Sequence, residues 1–321
     1  MNLRLLLLLG LGLMIAVPLS LLAGRVWIDP LAPTTGNAAT ILIQLRLPRA
    51  VLALVVGAGL GAAGAAMQGF LRNPLADPGL FGIAPGAALG AVLSFWTGYS
   101  ASPWLLPVFA LAGGCGAMTL LALIAGRSGG VALFTLAGLM VSSLAGALVS
   151  LAISLSPSPF ALTEIVTWMM GSLADRSWRE VWIAAPLTLV GIGVLLYAGR
   201  SLDALMLGEA AARSLGVDPF RLQALMIIGI GLTVGAGVAV AGIIGFVGLV
   251  VPHLVRPLTD HRPSSLVLPS SLAGGLLVLV SDCLCRILPL AGGELRLGIA
   301  LSLIGAPFFL HLLLKMRREL A

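Results

Sequence analysis

Asp203-Ala-Leu-Met-Leu-Gly-Glu209-Ala-Ala-Ala-Arg213-Ser-Leu-Gly216-Val-Asp218 lies between two long apolar stretches, near 181 to 199 and 222 to 242. It is too charged to sit in hydrocarbon and too regular to be a slack loop. Leu207, Ala211 and Leu215 recur four apart, Glu209 precedes Arg213 at the favourable i,i+4 spacing, and Gly216 is placed to end a helix. About two turns of helix are marginal alone in water, so this one needs a surface to pack on. Two readings stand at this point: a solvated connector between spans, or a docking element for a soluble partner.

Working outward, composition identifies the solvent. Of 321 residues, 59% are hydrophobic and 9% charged, whereas an ordinary soluble domain is about a quarter charged. Apolar runs of about 20 residues match a bilayer core about 30 Å thick and lack the short alternating segments of an outer-membrane barrel. The chain therefore reads as an all-α polytopic membrane protein. Its formal charge of +6 comes from basic residues scattered at span ends rather than from a basic run, so it reports membrane topology and not nucleic-acid binding. Cys115, Cys283 and Cys285 lack the companions of a metal site and read as structural.

Ten spans are expected: one from Arg4 to about Ala23, then 50 to 70, 80 to 99, 104 to 125, 131 to 155, 181 to 199, 222 to 242, 244 to 257, 266 to 287 and 297 to 315. The first run is longer than a secretory h-region and is followed by more membrane sequence, so it reads as a span. Ten spans place both termini on one side. Eleven basic residues fall on that side, which makes it the cytoplasm, and seven (Arg25, Arg46, Arg49, Arg176, Arg179, Arg286, Arg296) fall outside. The outer arginine surplus calls for another explanation.

Val56-Gly-Ala-Gly59 with Ala63-Gly64 is echoed by Val234-Gly-Ala-Gly237 with Ala241-Gly242 at one offset of 178 residues, and at that offset Leu71 meets Leu249 and Pro74 meets Pro252. The echoing spans are the second and seventh, which makes the halves, approximately 1–178 and 179–321 of a single 1–321 transmembrane domain, two inverted five-helix repeats. Glycines at helical spacing (Gly57 and Gly61; Gly82, Gly86 and Gly90; Gly231 and Gly235) point to close helix packing. Two apolar runs are interrupted, by Arg72-Asn-Pro-Leu-Ala-Asp-Pro78 after Gln68 and by Gly245-Phe-Val-Gly-Leu-Val-Val-Pro-His253. Broken helices persist in membranes only when buried in protein or lining a cavity, so Asn73 stands either in a structural turn or near a pathway.

Motifs for chemistry are sparse. No Gly-x-x-x-x-Gly-Lys-Ser/Thr occurs and the single lysine is Lys315, so the chain supplies no P-loop. Gly126-Arg-Ser-Gly129 has the spacing of an intramembrane serine protease but falls in an expected cytoplasmic turn. His253, His261 and His311 show no metal-ligand spacing; His261 reads as a loop residue and the others as packing residues. Apart from Asp282, few acids fall inside spans, which leaves an ion-coupled secondary transporter, the alternative function, little to work with.

Arg46-Leu-Pro-Arg49, Gln68 with Arg72 to Pro78, Gly86-Ala, Trp168-Met-Met-Gly171, Leu207-Gly-Glu209 through Gly216, Gly245 to His253 with Arg256, Asp282 with Arg286, and Gly305-Ala-Pro-Phe-Phe309 follow one another along nearly the whole chain. Together they resemble the FecCD/BtuC-type permeases, the membrane subunits of binding-protein-dependent ABC importers for iron siderophores, haem and vitamin B12. Two positions depart from that pattern: Ile243, where the family often has Pro, and Arg296 in Glu294-Leu-Arg296-Leu-Gly298, where it usually has Glu-Leu-Pro.

The resemblance implies a metal-chelate importer, siderophore first and haem or cobalamin next, in a bacterial inner membrane with both termini cytoplasmic. Implied partners are a second copy of the chain, two cytoplasmic ATP-binding subunits that hold ATP and Mg, a periplasmic or lipid-anchored substrate-binding protein, and membrane lipid. No cofactor is expected on this chain, and no catalytic or metal residue. The 203–218 segment becomes an ATPase-coupling helix, with Leu207, Gly208, Glu209, Arg213, Leu215 and Gly216 as its residues. Arg46, Arg49 and Arg286 become docking points for acidic residues of the binding protein, which would account for the outer arginine surplus. Asn73 and Leu75 fall near the cytoplasmic gate, Ser142 and Ser143 line the pathway, and Met169 and Met170 offer soft apolar contact to a chelate.

Overall fold

The computed structural model describes residues 3–24, 37–99, 102–126, 130–156, 158–288 and 293–320, and within these it is helical with no strand. The expected protease-like turn, at Arg127 and Ser128, and Arg25 lie outside the described residues. In chain order the helices are α1 (Leu3–Leu22), α2 (Asn37–Thr40), α3 (Leu47–Leu71), α4 (Ile83–Trp96), α5 (Leu105–Ala125), α6 (Val131–Ser154), α7 (Pro159–Met169), α8 (Trp178–Leu205), α9 (Glu209–Ser214), α10 (Pro219–Ile230), α11 (Ala236–Ala241), α12 (Val247–Val255), α13 (Pro263–Ile287) and α14 (Leu297–Leu320). A π-helical turn at Ile41–Arg46 joins α2 to α3 and another at Gly231–Gly235 joins α10 to α11. Eight helical stretches are long and apolar enough to cross a membrane; α4 and the α12 segment are apolar but shorter.

Each of the ten expected spans therefore has a helix, with two corrections. The third span, expected over 80 to 99, is cut to the 14 residues of α4. Pro78–Phe81 forms a 3-10 turn and Gly82 takes φ +75 before α4 begins. The eighth span starts late, at Val247, because Phe246 turns into the left-handed region at φ 66. That costly conformation for an aromatic residue is accommodated by Gly305, where a Cβ would overlap the Phe246 side chain.

Helix α3 is the axis of the bundle, with most of its residues buried and its principal packing against α13, α8 and α12. Its glycines make that approach possible: a Cβ on Gly57 would overlap the Gly274 carbonyl, and one on Gly64 the Gly248 carbonyl. The echoed segments meet at the centre. Gly59 lies against Thr233 and Gly237 against Val56. Helices α3, α8 and α13 run the length of the bundle. The 28 residues of α8 span about 42 Å at 1.5 Å per residue, with α9 at one end and the loop after α7 at the other.

Candidate coupling and docking sites

At the α9 end, the sequence island forms a tight elbow. Helix α9 is shorter than the spacing suggests, six residues from Glu209 to Ser214. Gly216, at φ +86, ends it as expected: its N–H goes to the Arg213 carbonyl and that of Val217 to the Ala212 carbonyl, a Schellman closure. The face expected to pack or dock is open. Leu207 and Leu215 lie outside the helix and are 69% and 64% exposed, while Ala212 turns inward at 2%. A six-residue turn has one narrow inner face, and the two leucines flank it on the solvent side.

The expected Glu209–Arg213 pair does not form among the described residues, because the Glu209 carboxylate is engaged elsewhere. It accepts the Val131 N–H at 3.1 Å, at the N-terminus of α6. That helix begins after Gly130, which carries no side chain to cap it, and the atoms nearest to a Cβ on Gly130 would be those of the Glu209 carboxylate. The other two acids of the island behave alike. Asp203, on α8, accepts the Ser264 N–H at 2.9 Å and the Ser264 hydroxyl at the start of α13; Asp218 accepts the Phe220 N–H at 2.9 Å at the start of α10. Three carboxylates thus satisfy orphan N–H groups of three helices and complement their dipoles.

At the opposite end, arginines and acids close on one another. Arg49 donates to both carboxylate oxygens of Asp282, Nη2 at 2.8 Å and Nε at 3.0 and 3.1 Å, and its Nη2 lies 2.8 Å from Glu294. Arg286 pairs with the same Asp282 at 3.2 Å and donates to the carbonyls of Ser20 and Ala23 at the end of α1. Arg46 donates to the carbonyls of Leu21 and Leu22 at 2.8 Å. The three arginines expected as docking points are thus engaged within the chain, and the Arg49 and Arg286 side chains are 12% and 4% exposed. An acid one turn below Arg286 and a second arginine on α3 make burial tolerable, since two positive and two negative groups neutralise one another. A crevice of about 320 Å³ remains beside them, lined among others by Arg46, Arg49, Arg176, Arg286 and Glu294.

The remaining predicted site residues do not converge on one cavity. The Asn73 side-chain oxygen accepts the Leu75 N–H at 2.9 Å, closing the exposed turn after α3, and Leu75 is half-buried. Ser142 is half-buried and Ser143 exposed on α6; Gly82, at the break before α4, abuts Val141 and the Ser142 backbone. Met169 is half-buried and Met170 is exposed. Gln68 accepts from Arg256 at 2.7 Å and donates to the Leu249 carbonyl at 3.2 Å, tying α3 to the broken α12. His253 packs edge-on to Phe308, whereas His311 is exposed rather than packed. Cys283 lies 3.1 Å from the Arg286 guanidinium and Cys285 is buried, both within the packed end of α13.

The model of the FecCD transport family matches residues 6–315. The chain belongs to the FecCD transport family. Among curated relatives, the vitamin B12 import system permease protein BtuC of Salmonella typhi is 39% identical over 99% of this chain and 97% of that protein. The BtuC of Salmonella typhimurium is equally similar over the same shares. Among solved structures, a metal-chelate type ABC transporter in an inward-facing conformation matches with a TM-score of 0.89 and 35% identity, over 97% of this chain and 99% of that one. The PsaBC complex of Streptococcus pneumoniae matches at a TM-score of 0.54 and 19% identity, a likeness of fold alone. FecCD membership therefore covers both breaks, the elbow and the ionic cluster.

Proposed function

We propose that this chain is the membrane subunit of a binding-protein-dependent ABC importer that moves a metal chelate inward, working as a pair of copies. In this reading α9 and both termini face the cytoplasm, and two ATPase subunits dock on α9. The ionic cluster faces a substrate-binding protein outside. The observation that carries the reading is the outer face of the elbow. Leu207, Leu215 and Arg213 are exposed on this element, while Asp203 and Glu209 are half-buried and bonded within the chain. Apolar groups flanking one arginine are the composition of an interface core rather than of a solvated connector. With no P-loop in the chain, the energy source belongs to the partner that covers them.

The cargo proposal rests on the FecCD relatives, whose names bring corrinoids forward beside siderophores and haem. Asn73 and Leu75 sit at the inner gate in this reading, Ser142 and Ser143 along the path, and Met169 and Met170 at its mouth. Ion coupling is disfavoured by the chemistry of the buried acids. Asp282 is committed to two arginines, and Glu180 accepts from Ser177 in the capping box of α8, which leaves neither free to bind and release a coupling ion.

The test is reconstitution with the ATPase and binding protein in proteoliposomes, offering cyanocobalamin, a ferric siderophore and haem in turn. ATP-dependent accumulation of one of them is expected, and no hydrolysis by the purified chain alone. Uptake driven by an ion gradient without ATP, or hydrolysis that survives removal of every partner, overturns the reading.

A further inference from the structure

The Glu209 contact has a feature that a simple cap lacks, because the capped helix and the capping residue belong to different parts of the molecule. A helix is usually capped by the residue that begins it. Here the N-cap position of α6 is Gly130, and the cap comes from Glu209, 78 residues later in sequence and on α9. Helix α9 otherwise packs on α8. The space between α9, the start of α6 and Phe70 is not close-packed: a crevice of about 30 Å³ lies there, lined by Glu209, Val131 and Ala212 among others. The Glu209–Val131 hydrogen bond bridges α9 and α6 beside this crevice.

Helix α6 in turn touches the break after α3. Phe134, one turn into α6, packs against Phe70 at the end of α3 at 5.1 Å and against Phe81 of the break at 5.0 Å. Further along, Val141 and Ser142 abut Gly82. The 24 residues of α6 form a rod about 36 Å long, so a shift at Val131 is felt at Ser143.

We infer that Glu209 is a positioning residue that couples α9 to α6: the carboxylate holds the N-terminus of α6, so that displacement of α9 by the ATPase pair moves α6 and the adjoining break. The inference rests on the importer reading above and assigns Glu209 to a contact within this chain rather than to the ATPase surface. Arg213 and the two leucines form the outward contact; Glu209 forms the inward one.

Gly130 supplies the discriminating variant. Its φ of −72 suits any residue, and the nearest atoms to a Cβ there belong to the Glu209 carboxylate, which the second substitution removes. In the double variant Gly130→Ser/Glu209→Ala, the serine caps α6 locally, restoring the cap without the link to α9. The readout is the maleimide reactivity of Ser143→Cys, on a background lacking Cys115, Cys283 and Cys285. It is measured in the complex with the ATPase, with and without ATP, Mg and vanadate, together with thermal melting.

The otherwise native chain should show a nucleotide-dependent change in reactivity of about tenfold or more, equivalent to about 1.4 kcal/mol. Glu209→Ala should assemble with the ATPase, melt earlier and lose that change. Glu209→Gln, which keeps an acceptor oxygen, should retain most of it. Gly130→Ser/Glu209→Ala should melt normally and still lack the change. Recovery of the change in the double variant would show that Glu209 is only a cap, and failure of Glu209→Ala to assemble would place it on the ATPase surface; either overturns the inference. If the otherwise native chain binds no ATPase at all, the importer reading itself fails. Assembly without any nucleotide-dependent change at Ser143→Cys overturns the inference alone.

Discussion

The two ends of α8 handle charge in opposite ways. At the α7 end, Arg49 and Arg286 turn inward onto Asp282, and Glu294 closes over Arg49, so the charges neutralise one another inside the protein. At the α9 end, Asp203 and Glu209 reach across to the N-termini of α13 and α6, Asp218 caps its own helix at the surface, and Leu207 and Leu215 are exposed. The first arrangement is a clamp that ties α1, α3 and α13 together. The second is a joint with an open apolar face. A partner at the clamp must compete with existing ion pairs, whereas a partner at the joint covers surface that nothing in the chain covers. The largest expected effect follows from this difference. Asp282→Asn leaves two buried arginines without their shared counter-charge, and breaking such a cluster costs about 3–5 kcal/mol. Thermal melting in detergent should fall steeply, and a normal melting temperature would show that the cluster is not a clamp.

The joint should respond in the reverse sense. Because Leu207 and Leu215 are mostly exposed, changing both to Asp should alter stability by no more than about 0.5 kcal/mol. Burying two carboxylates in an apolar interface should nonetheless weaken ATPase assembly at least about tenfold, measured by co-purification or titration of the ATPase. Unchanged assembly would return the island to a solvated connector. A large loss of stability would mean that these side chains pack within the protein.

The contrast also explains which features were legible in the sequence. Span count, the break near Pro74 and the Gly216 helix stop are local properties, carried by apolar length, proline and glycine, and the structure keeps them; Pro252 instead lies inside α12, and the second break falls before it, at residues 242–246. The Asp282–Arg286 pair is one turn apart on a helix and could be read the same way, as could the capping box of Ser177 and Glu180, a signature passed over in the sequence. Arg49–Asp282 and Glu209–Val131 join residues 233 and 78 positions apart, and no periodicity reports them. The i,i+4 rule pointed Glu209 at Arg213 because it considers one helix alone; the unsatisfied N–H groups of α6 were the stronger attraction. The same limit placed Leu207 and Leu215 on one helix, although the six residues from Glu209 to Ser214 include neither of them.

The smallest expected effect lies at the rim of the clamp and bears on whether the arginines also serve a partner. Glu294 is the most exposed member of the cluster, its side chain 29% accessible against 12% for Arg49. It approaches Arg49 from the side where a binding-protein carboxylate would arrive, so in the proposed importer it competes for the same guanidinium. Glu294→Gln removes the competing charge and leaves the Asp282 pairs in place. A half-exposed ion pair contributes up to about 1 kcal/mol, so the loaded binding protein should dock about two to five times more tightly at low salt. The gain should shrink near 1 M salt, where the screening length is about 3 Å. Affinity that falls, or a gain that ignores salt, would break the parallel with the joint and leave Arg49 as a member of the clamp alone.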